Sequence, residues 1–383
     1  MSTNNNFIVM QNIARELLPM VKENLVMPAT VNRNYSGDFI GKGNTIIVEK
    51  PAVFVADEFG GTINLQNIVE PSVAVKMDKI ADVSFAIEQK ELALSMPEFK
   101  TKYLASAANS IAEKINRDGL SLYKRVPFFT GTAGTTPSTI TAFTQARKIL
   151  NDNKVPLMDR YAAWDTAAEA KFLELDAILN AEKSGSTEAL RAGAIGDIVG
   201  FKNYMSQAIP THTAGTYTAL ADVKATVNIA SNGQLTDRTP YSVMSFASTA
   251  GTSTGTLKAG DLLTVAGKKY VVLEDVAAAV AGATSAKVYP ALTANITAQN
   301  VTFADVTAGG HVANLAYHKD AFIFVTRPLA PYSDKESYTV QNEGWSIRVS
   351  IWSDPTTKKT MMSLDVLYDY VCAYPELAAI VLG

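Results

Sequence analysis

Thr45-Ile-Ile-Val48 and Val53-Phe-Val55, followed by Ser72-Val-Ala-Val-Lys-Met77 and Val83-Ser-Phe-Ala-Ile-Glu88, frame the stretch on which the reading of this chain turns. β-Branched and aromatic residues dominate these runs, and Pro51 separates the first two. Val73, Val75 and Met77 alternate with other residues, as do Val83, Phe85 and Ile87, and Thr62–Val69 is a further strand expectation. Gly60-Gly61 and Met77–Ile80 supply the turns. No helical pattern lies between 45 and 90 to cover these strands, and an isolated long hairpin is marginal in water. The block therefore lies either on the body of its own chain or on another molecule.

Before this block, Ile13, Leu17, Val21 and Leu25 recur every fourth position, with Arg15, Glu16, Lys22 and Glu23 between them. The spacing predicts an amphipathic helix over 7–27 that Pro19 kinks or splits. After it, Ser95-Met-Pro-Glu98 has the form of a capping box with proline in the first turn. Leu104, Ala107, Ala108, Ile111, Ile115 and Leu122 then share one face of a helix reaching Tyr123, roughly 40 Å long. Gly119 is expected to weaken its last turn.

Beyond the loop Thr130–Pro137, Ser138 or Thr141 is expected to cap a helix over Phe143–Asn151. A strand at Arg160–Trp164 and helix at Thr166–Leu175, continued by Ala177–Glu182, come next. From about 213 to 308, Thr, Ala, Gly, Ser and Val take over. Short strands are expected at Lys224–Ile229, Tyr241–Phe246, Leu262–Val265, Lys269–Leu273, Ala286–Tyr289 and Val301–Phe303, with Ala266-Gly267-Lys268 as a tight turn. This spacing indicates a small β-sandwich or barrel inserted into an α+β domain. After 310, Phe322–Val325 reads as a buried strand, and Trp345–Trp352 with Met361–Tyr368 as an antiparallel pair around the turn Asp354–Lys358.

The chain has 383 residues, 47% of them hydrophobic, enough for a large core. Its charged fraction of 19% is low, which suggests a surface largely covered by partners. With 34 Lys+Arg against 37 Asp+Glu, the net charge of −3 gives no general attraction to nucleic acid or anionic membranes. One cysteine, Cys372, excludes an internal disulfide and a cysteine-based zinc cluster. Met1-Ser-Thr-Asn-Asn-Asn6 offers no basic start of a secretory leader, and no apolar run of about 18 residues could span a bilayer.

The search for chemistry yields no catalytic, cofactor-binding or metal residues. Gly37-Asp-Phe-Ile-Gly41-Lys42-Gly43 has the wrong spacing for a phosphate loop and no hydroxyl residue after Lys42. Gly193, Gly196 and Gly200 lack the strand–helix setting of a dinucleotide site and read as loop or strand-leading glycines. His212, between Thr211 and Thr213, is expected in a solvated loop, and His318 as a structural histidine; His311 completes the small histidine set. Glu174, Asp176, Glu182 and Glu188 form no cation-loop pattern and read as a solvated helix face. Cys372 is expected to be a buried small hydrophobe, and Trp345, Trp352, Tyr368, Tyr370 and Tyr374 to pack in a core.

A β arm, a long straight helix, an inserted β module and no active site describe a building block. In this order of parts the chain resembles the major capsid proteins of tailed bacteriophages, whose fold is shared with encapsulins and the floor of herpesvirus capsids. More specifically, it resembles the coat proteins of short-tailed phages that carry an inserted β-barrel. Leu257-Lys-Ala-Gly-Asp-Leu-Leu-Thr-Val-Ala-Gly267 is similar to a hairpin of that insertion. Gly200-Phe201 with Ala208-Ile209-Pro210 resembles the segment leading into it, and Lys319–Leu329 the segment where the main fold resumes.

The resemblance implies an α+β phage major-capsid fold: an N-terminal arm (1–44), extended β loop (45–92), peripheral domain with spine helix (93–137), axial domain (138–212), inserted all-β barrel (213–308), and a return through both domains (309–383). It implies a non-enzymatic shell protein that encloses double-stranded DNA through a scaffold-dependent procapsid that expands on packaging. Implied partners are further copies in pentamers and hexamers, a scaffolding protein, a portal protein, weakly held DNA and decoration proteins, with no membrane and no cofactor. The 45–90 arm would bury its strands on a neighbour, and the glycines at 193, 196 and 200 and the 130–137 loop would be hinge or axial segments. The place would be the virion, after assembly in the host cytoplasm. Two other classes compete: an encapsulin-like compartment holding an enzyme, and a β-rich glycan-binding or adhesive protein. The latter is disfavoured because the module has few aromatics beyond Tyr217, Tyr241, Phe246 and Tyr270.

Overall fold

The computed structural model describes residues 3–35, 45–50, 56, 58, 65, 71–88, 103–180, 193, 195–217, 223–248, 255–277, 284–305, 309–332, 336–342, 345–354 and 359–383. The first helix, Thr3–Asn24, buries Ile13, Ala14, Leu17, Leu18 and Val21. It starts earlier than the pattern predicted and continues through Pro19, which faces solvent. There the carbonyl that loses its donor can bond water instead. A short helix, Met27–Thr30, follows.

The root of the arm lies on its own chain. Thr45–Glu49 pairs antiparallel with Ser72–Lys76, and the two strands turn Ile46, Val48, Val73 and Val75 onto Ile323, Val325, Val371 and Ala373. Lys79–Glu88 then pairs with the chain's own C-terminal strand from Lys359 to Tyr368. The expectation that the arm buries these strands on a neighbour is corrected for these residues. Local pattern showed that the strands needed cover, but could not show that Lys359–Cys372 presents a free edge to them. The expected strands at Val53–Val55 and Thr62–Val69 lie outside the described residues, Leu65 excepted.

Lys359–Cys372 is the centre of this peripheral sheet, which also contains Phe322–Thr326, Trp345–Asp354 and Glu336–Asn342. The spine helix, Ala105–Leu120, runs beside it and ends in a 3-10 turn, Ser121–Arg125. Its expected start near Ser95 lies outside the described residues. Leu104, Ala107, Ala108, Ile111 and Ile115 are buried, as the spacing predicted; Leu122 is only half-buried, and Leu120, which the pattern did not name, is buried in its place. Gly119 is not a weak point but a contact. A Cβ there would stand 2.7 Å from Cγ of Met27 and 2.9 Å from Cζ of Tyr370.

A second sheet orders the strands Phe129–Gly131, Ala378–Leu382, His311–His318, Arg160–Trp164, Phe201–Met205 and Asp197–Ile198. Its helices, Thr141–Asp152, Thr166–Leu173 and Asp176–Leu179, pack around Phe143, Trp164 and Phe172. Neither Ser138 nor Thr141 caps the first of these, since Ile140 occupies the cap position without a side-chain bond. Asp165 does cap the second, accepting from the N–H groups of Ala167 and Ala168 at 3.0 and 3.4 Å. Val199 and Gly200, with φ of 53° and 78°, form the two-residue turn of a hairpin between Asp197–Ile198 and Phe201–Met205.

The inserted module is a closed six-stranded antiparallel barrel. Around it run Val223–Val227, Pro240–Ser248, Thr284–Tyr289, Lys268–Val272, Leu262–Val265 and Ile296–Phe303, which returns to Val223–Val227. Met244, Phe246, Leu263, Val265, Tyr270, Val272 and Val288 fill it. The predicted turn is present, with Ala266 and Gly267 at φ 49° and 76°. The last strand starts at Ile296, not Val301: Ile296 pairs with Val227, and Gln299 and Asn300 pair with Ala225 and Lys224 beyond an irregularity at Thr297-Ala298, while the side chains of 297–300 are exposed and so carry no apolar signal.

Candidate functional site

Two buried joints hold the described surfaces of the chain together. The spine is the first joint. Asn116 Oδ1 accepts the backbone N–H groups of Val26 and Met27 at 3.2 and 3.1 Å, and the Tyr368 hydroxyl donates to Asp118 at 2.8 Å. The first contacts tie the N-terminal segment to the helix, and the last ties the helix to the peripheral sheet. Thr30, Tyr204 and Tyr317 join hydroxyls beside Met27, and burial pushes Tyr204 up to about 12. These hydroxyls stay protonated donors at any working pH.

The second joint roots the barrel. The chain enters through Thr211-His212 and leaves through His311-Val312, and these segments pair antiparallel with His311 opposite His212. The backbones nearly touch, since a Cβ on Gly310 would lie 2.1 Å from the His212 carbonyl oxygen. Burial and the carboxylates of Asp305 and Asp261 raise the Tyr123 pKa, so its O–H donates to His212 Nδ1 at 2.8 Å. His212 Nε2–H in turn donates to Asp261 Oδ1 at 2.8 Å. Asp261 also accepts from the N–H groups of Lys258 at 2.8 Å and Gly215 at 3.1 Å.

The expectation of a solvated His212 is therefore wrong: the side chain is 3% exposed. Its neighbours Thr211 and Thr213 carry no apolar pattern, and its burial comes from strands distant in sequence. Elsewhere the barrel reaches the body through Lys269, which donates to the Phe129 carbonyl, and through the Arg125–Asp237 ion pair at 3.2 Å. Arg238 donates to Ser72 Oγ at 2.7 Å, so the barrel also holds the root of the arm.

The other singled-out residues fall apart spatially. His318 accepts the Asp320 N–H through Nδ1 at 3.2 Å, a structural role, and burial lowers its pKa. Cys372 is buried, which pushes its thiol well above the ordinary range and keeps it inert. Trp345, Tyr368 and Tyr370 pack around Phe324 in the core, while Trp352 and Tyr374 are half-buried. Glu174 pairs with Lys171 at 3.0 Å on a solvated face. Glu182, Glu188 and Gly37–Gly43 lie outside the described residues. Of the module's aromatics, Tyr217, Phe246 and Tyr270 are buried in the barrel and present no face to a sugar.

Three apolar side chains stand out on the surface: Leu65 in the arm, 89% exposed, with Leu157 and Met158, 64% and 78% exposed, before the strand Arg160–Trp164. Arm root, spine, two-sheet body and rooted barrel follow the order of parts of the capsid fold that the sequence resembles. A solved structure from Mycobacterium phage Che8 aligns over 93% of this chain and 90% of its own, with a TM-score of 0.51 at 13% identity. The capsid of the cyanophage P-SCSP1u aligns over 92% and 85%, with a TM-score of 0.47 at 11% identity. For the mature capsid of bacteriophage PhiM1 the values are 94%, 86%, 0.46 and 10%. No curated protein sequence matches the chain.

The family described as P22 coat protein, gene protein 5, matches residues 1–276 and 270–383, and the chain belongs to it. It is a major capsid protein, a structural component of the virion whose copies assemble into capsomers and build the shell.

Proposed function

We propose that the chain assembles in the host cytoplasm on an internal scaffolding protein, closing a precursor shell that expands as double-stranded DNA is packaged through a portal vertex. In this reading the arm (1–44), β loop (45–92), spine and peripheral region (93–137), axial region (138–212 and part of 309–383) and barrel (213–308) are the working units. DNA contact is weak and non-specific, in keeping with the net charge of −3. Decoration proteins would add to the outer face.

The observation that carries this reading is Leu65. Its β loop is rooted on the chain's own sheet, yet this leucine is 89% exposed in the isolated subunit. A sister subunit that covered it would remove apolar surface from water.

Cys372 is buried, so Leu65→Cys adds a single accessible thiol. A maleimide should label that thiol quickly in dispersed subunits and slowly in shells made by co-expression with a scaffold. Equal labelling in both states would remove the arm contact from the account. Shells of uniform size formed without any scaffold would remove the scaffold dependence.

A further inference from the structure

The joint at the foot of the barrel holds more charge than its hydrogen bonds explain. Asp261 and Asp305 are both fully buried, and among the described residues no lysine or arginine pairs with either. Asp261 is held by two backbone N–H groups and His212; Asp305 accepts one, from Leu262 at 3.3 Å. Its other oxygen, Oδ2, has no hydrogen-bond partner among the described residues. His311 is 1% exposed, and neither of its ring nitrogens has a hydrogen-bond partner. A buried carboxylate oxygen and a buried imidazole 3.3 Å apart, close but not hydrogen-bonded, are costly unless a bound cation or proton joins them.

The spacings suit a cation. His212 Nε2 and one oxygen each of Asp261 and Asp305 lie within 4.8 Å of one another. Four ligands at zinc distances stand about 3.3 Å apart along each tetrahedral edge. His212 Nε2 is 3.7 Å from Asp305 Oδ2; His311 Nδ1 is 3.3 Å from the same oxygen but stands outside the mutual spacing of the other three, so its ring would have to swing inward to become a fourth donor. The His212–Asp261 separation of 2.8 Å is a hydrogen-bond spacing and would open slightly. We propose that His212, Asp261 and Asp305, with His311 as the fourth donor, bind a divalent transition cation of the Zn2+ type that fastens the barrel to the foot of the spine.

Two carboxylates and two neutral imidazoles around a divalent ion make a neutral site, and mixed N/O donors favour Zn2+ or Co2+ over Ca2+ or Mg2+. On loading, the proton on His212 moves from Nε2 to Nδ1, whence it is donated to the Tyr123 oxygen. Tyr123 is thus a positioning residue. The four donors come from the two connecting segments and from barrel loops, so the ion closes a joint between parts far apart in sequence.

The test uses the purified full-length chain, stripped with a chelator and titrated with Zn2+ or Co2+. The expected result is one ion per chain retained through desalting, with the visible absorption of four-coordinate Co2+ and a thermal midpoint raised by Zn2+. Asp305→Asn should lose both the ion and the shift, whereas His318→Gln should keep them. Tyr123→Phe should weaken Zn2+ binding about 10- to 100-fold with unchanged circular dichroism. If Asp305→Asn does not fold, the Co2+ spectrum and metal content of the wild-type chain decide alone. The proposal is overturned if the wild-type chain retains no stoichiometric metal and melts identically in chelator and in Zn2+. A midpoint that follows pH but ignores metal would assign the cluster to protonated histidines instead.

Discussion

Gly119→Ala sets two effects of opposite sign against each other. In an exposed helix interior the change would stabilise by about 1 kcal/mol, because alanine loses less backbone entropy than glycine. Here the new methyl would stand 2.7 Å from Met27 Cγ, 2.9 Å from Tyr370 Cζ and 3.1 Å from its Cε1. Met27 can move little, because its backbone N–H is held by Asn116 and its sulfur accepts from Tyr317 at 3.2 Å. Tyr370 is wedged against Phe324 at 4.7 Å between ring centroids. Overpacking of this kind costs about 1–3 kcal/mol, so the propensity gain is cancelled and the net expectation is a loss of roughly 0–2 kcal/mol. Urea denaturation of dispersed subunits, followed by tryptophan fluorescence, measures it. Trimming the opposing side chain in the double variant Gly119→Ala with Met27→Ala should cost less than the sum of the singles. A Gly119→Ala chain stabilised by the full propensity gain would refute the close spine contact.

Two further outcomes follow from buried charge. Arg348 donates to Asp365 at 2.9 Å, to the Ala330 carbonyl at 3.1 Å and to the Tyr332 hydroxyl at 2.8 Å, in the same group where Ser363 bonds Asp82 of the arm. Arg348→Met should cost about 3–5 kcal/mol at neutral pH, because Asp365 is left buried and unpaired. Burial already raises the Asp365 pKa, so the loss should shrink in acid as that carboxyl takes up a proton; equal losses at both pH values in urea titrations would contradict it. His318 has its pKa lowered from 6.5 by burial, so the unfolded chain binds more protons than the folded one once pH falls below that value. Stability should fall from about pH 6.5 downward, and His318→Gln should flatten part of that slope in a pH series of thermal melts.

Elements with a strong local pattern were legible in the sequence. Arg160–Trp164 and Leu262–Val265 match their predicted bounds because alternation and turn residues sit within a few positions of each strand. The pair Trp345–Asp354 and Lys359–Cys372 was legible as well, with Ser350 opposite Ser363 in register. Partner choice over long distances was not. The arm strand Lys79–Glu88 carries nothing that names Lys359–Tyr368 as its mate, so cover from another subunit looked equally good. The histidine joint was illegible for the same reason. Asp261 follows Gly260 in the hairpin segment Leu257–Gly267 and accepts the Lys258 N–H, a local contact that gives no hint of a distant histidine. Only the fold adds His212 to it. One clue was present: His212 and His311, two of the chain's three histidines, stand at the two edges of the inserted module.

The central claim is that copies of this chain close on one another, each arm rooted at home and its far part against a sister subunit. Electron cryomicroscopy of particles purified after co-expression with a scaffold tests it most directly. The account predicts closed icosahedral shells in which Lys79–Glu88 pairs with Lys359–Tyr368 of the same copy and Leu65 is covered by a different copy. Dispersed subunits, or shells in which Leu65 remains bare and Lys79–Glu88 pairs with another copy, would contradict it.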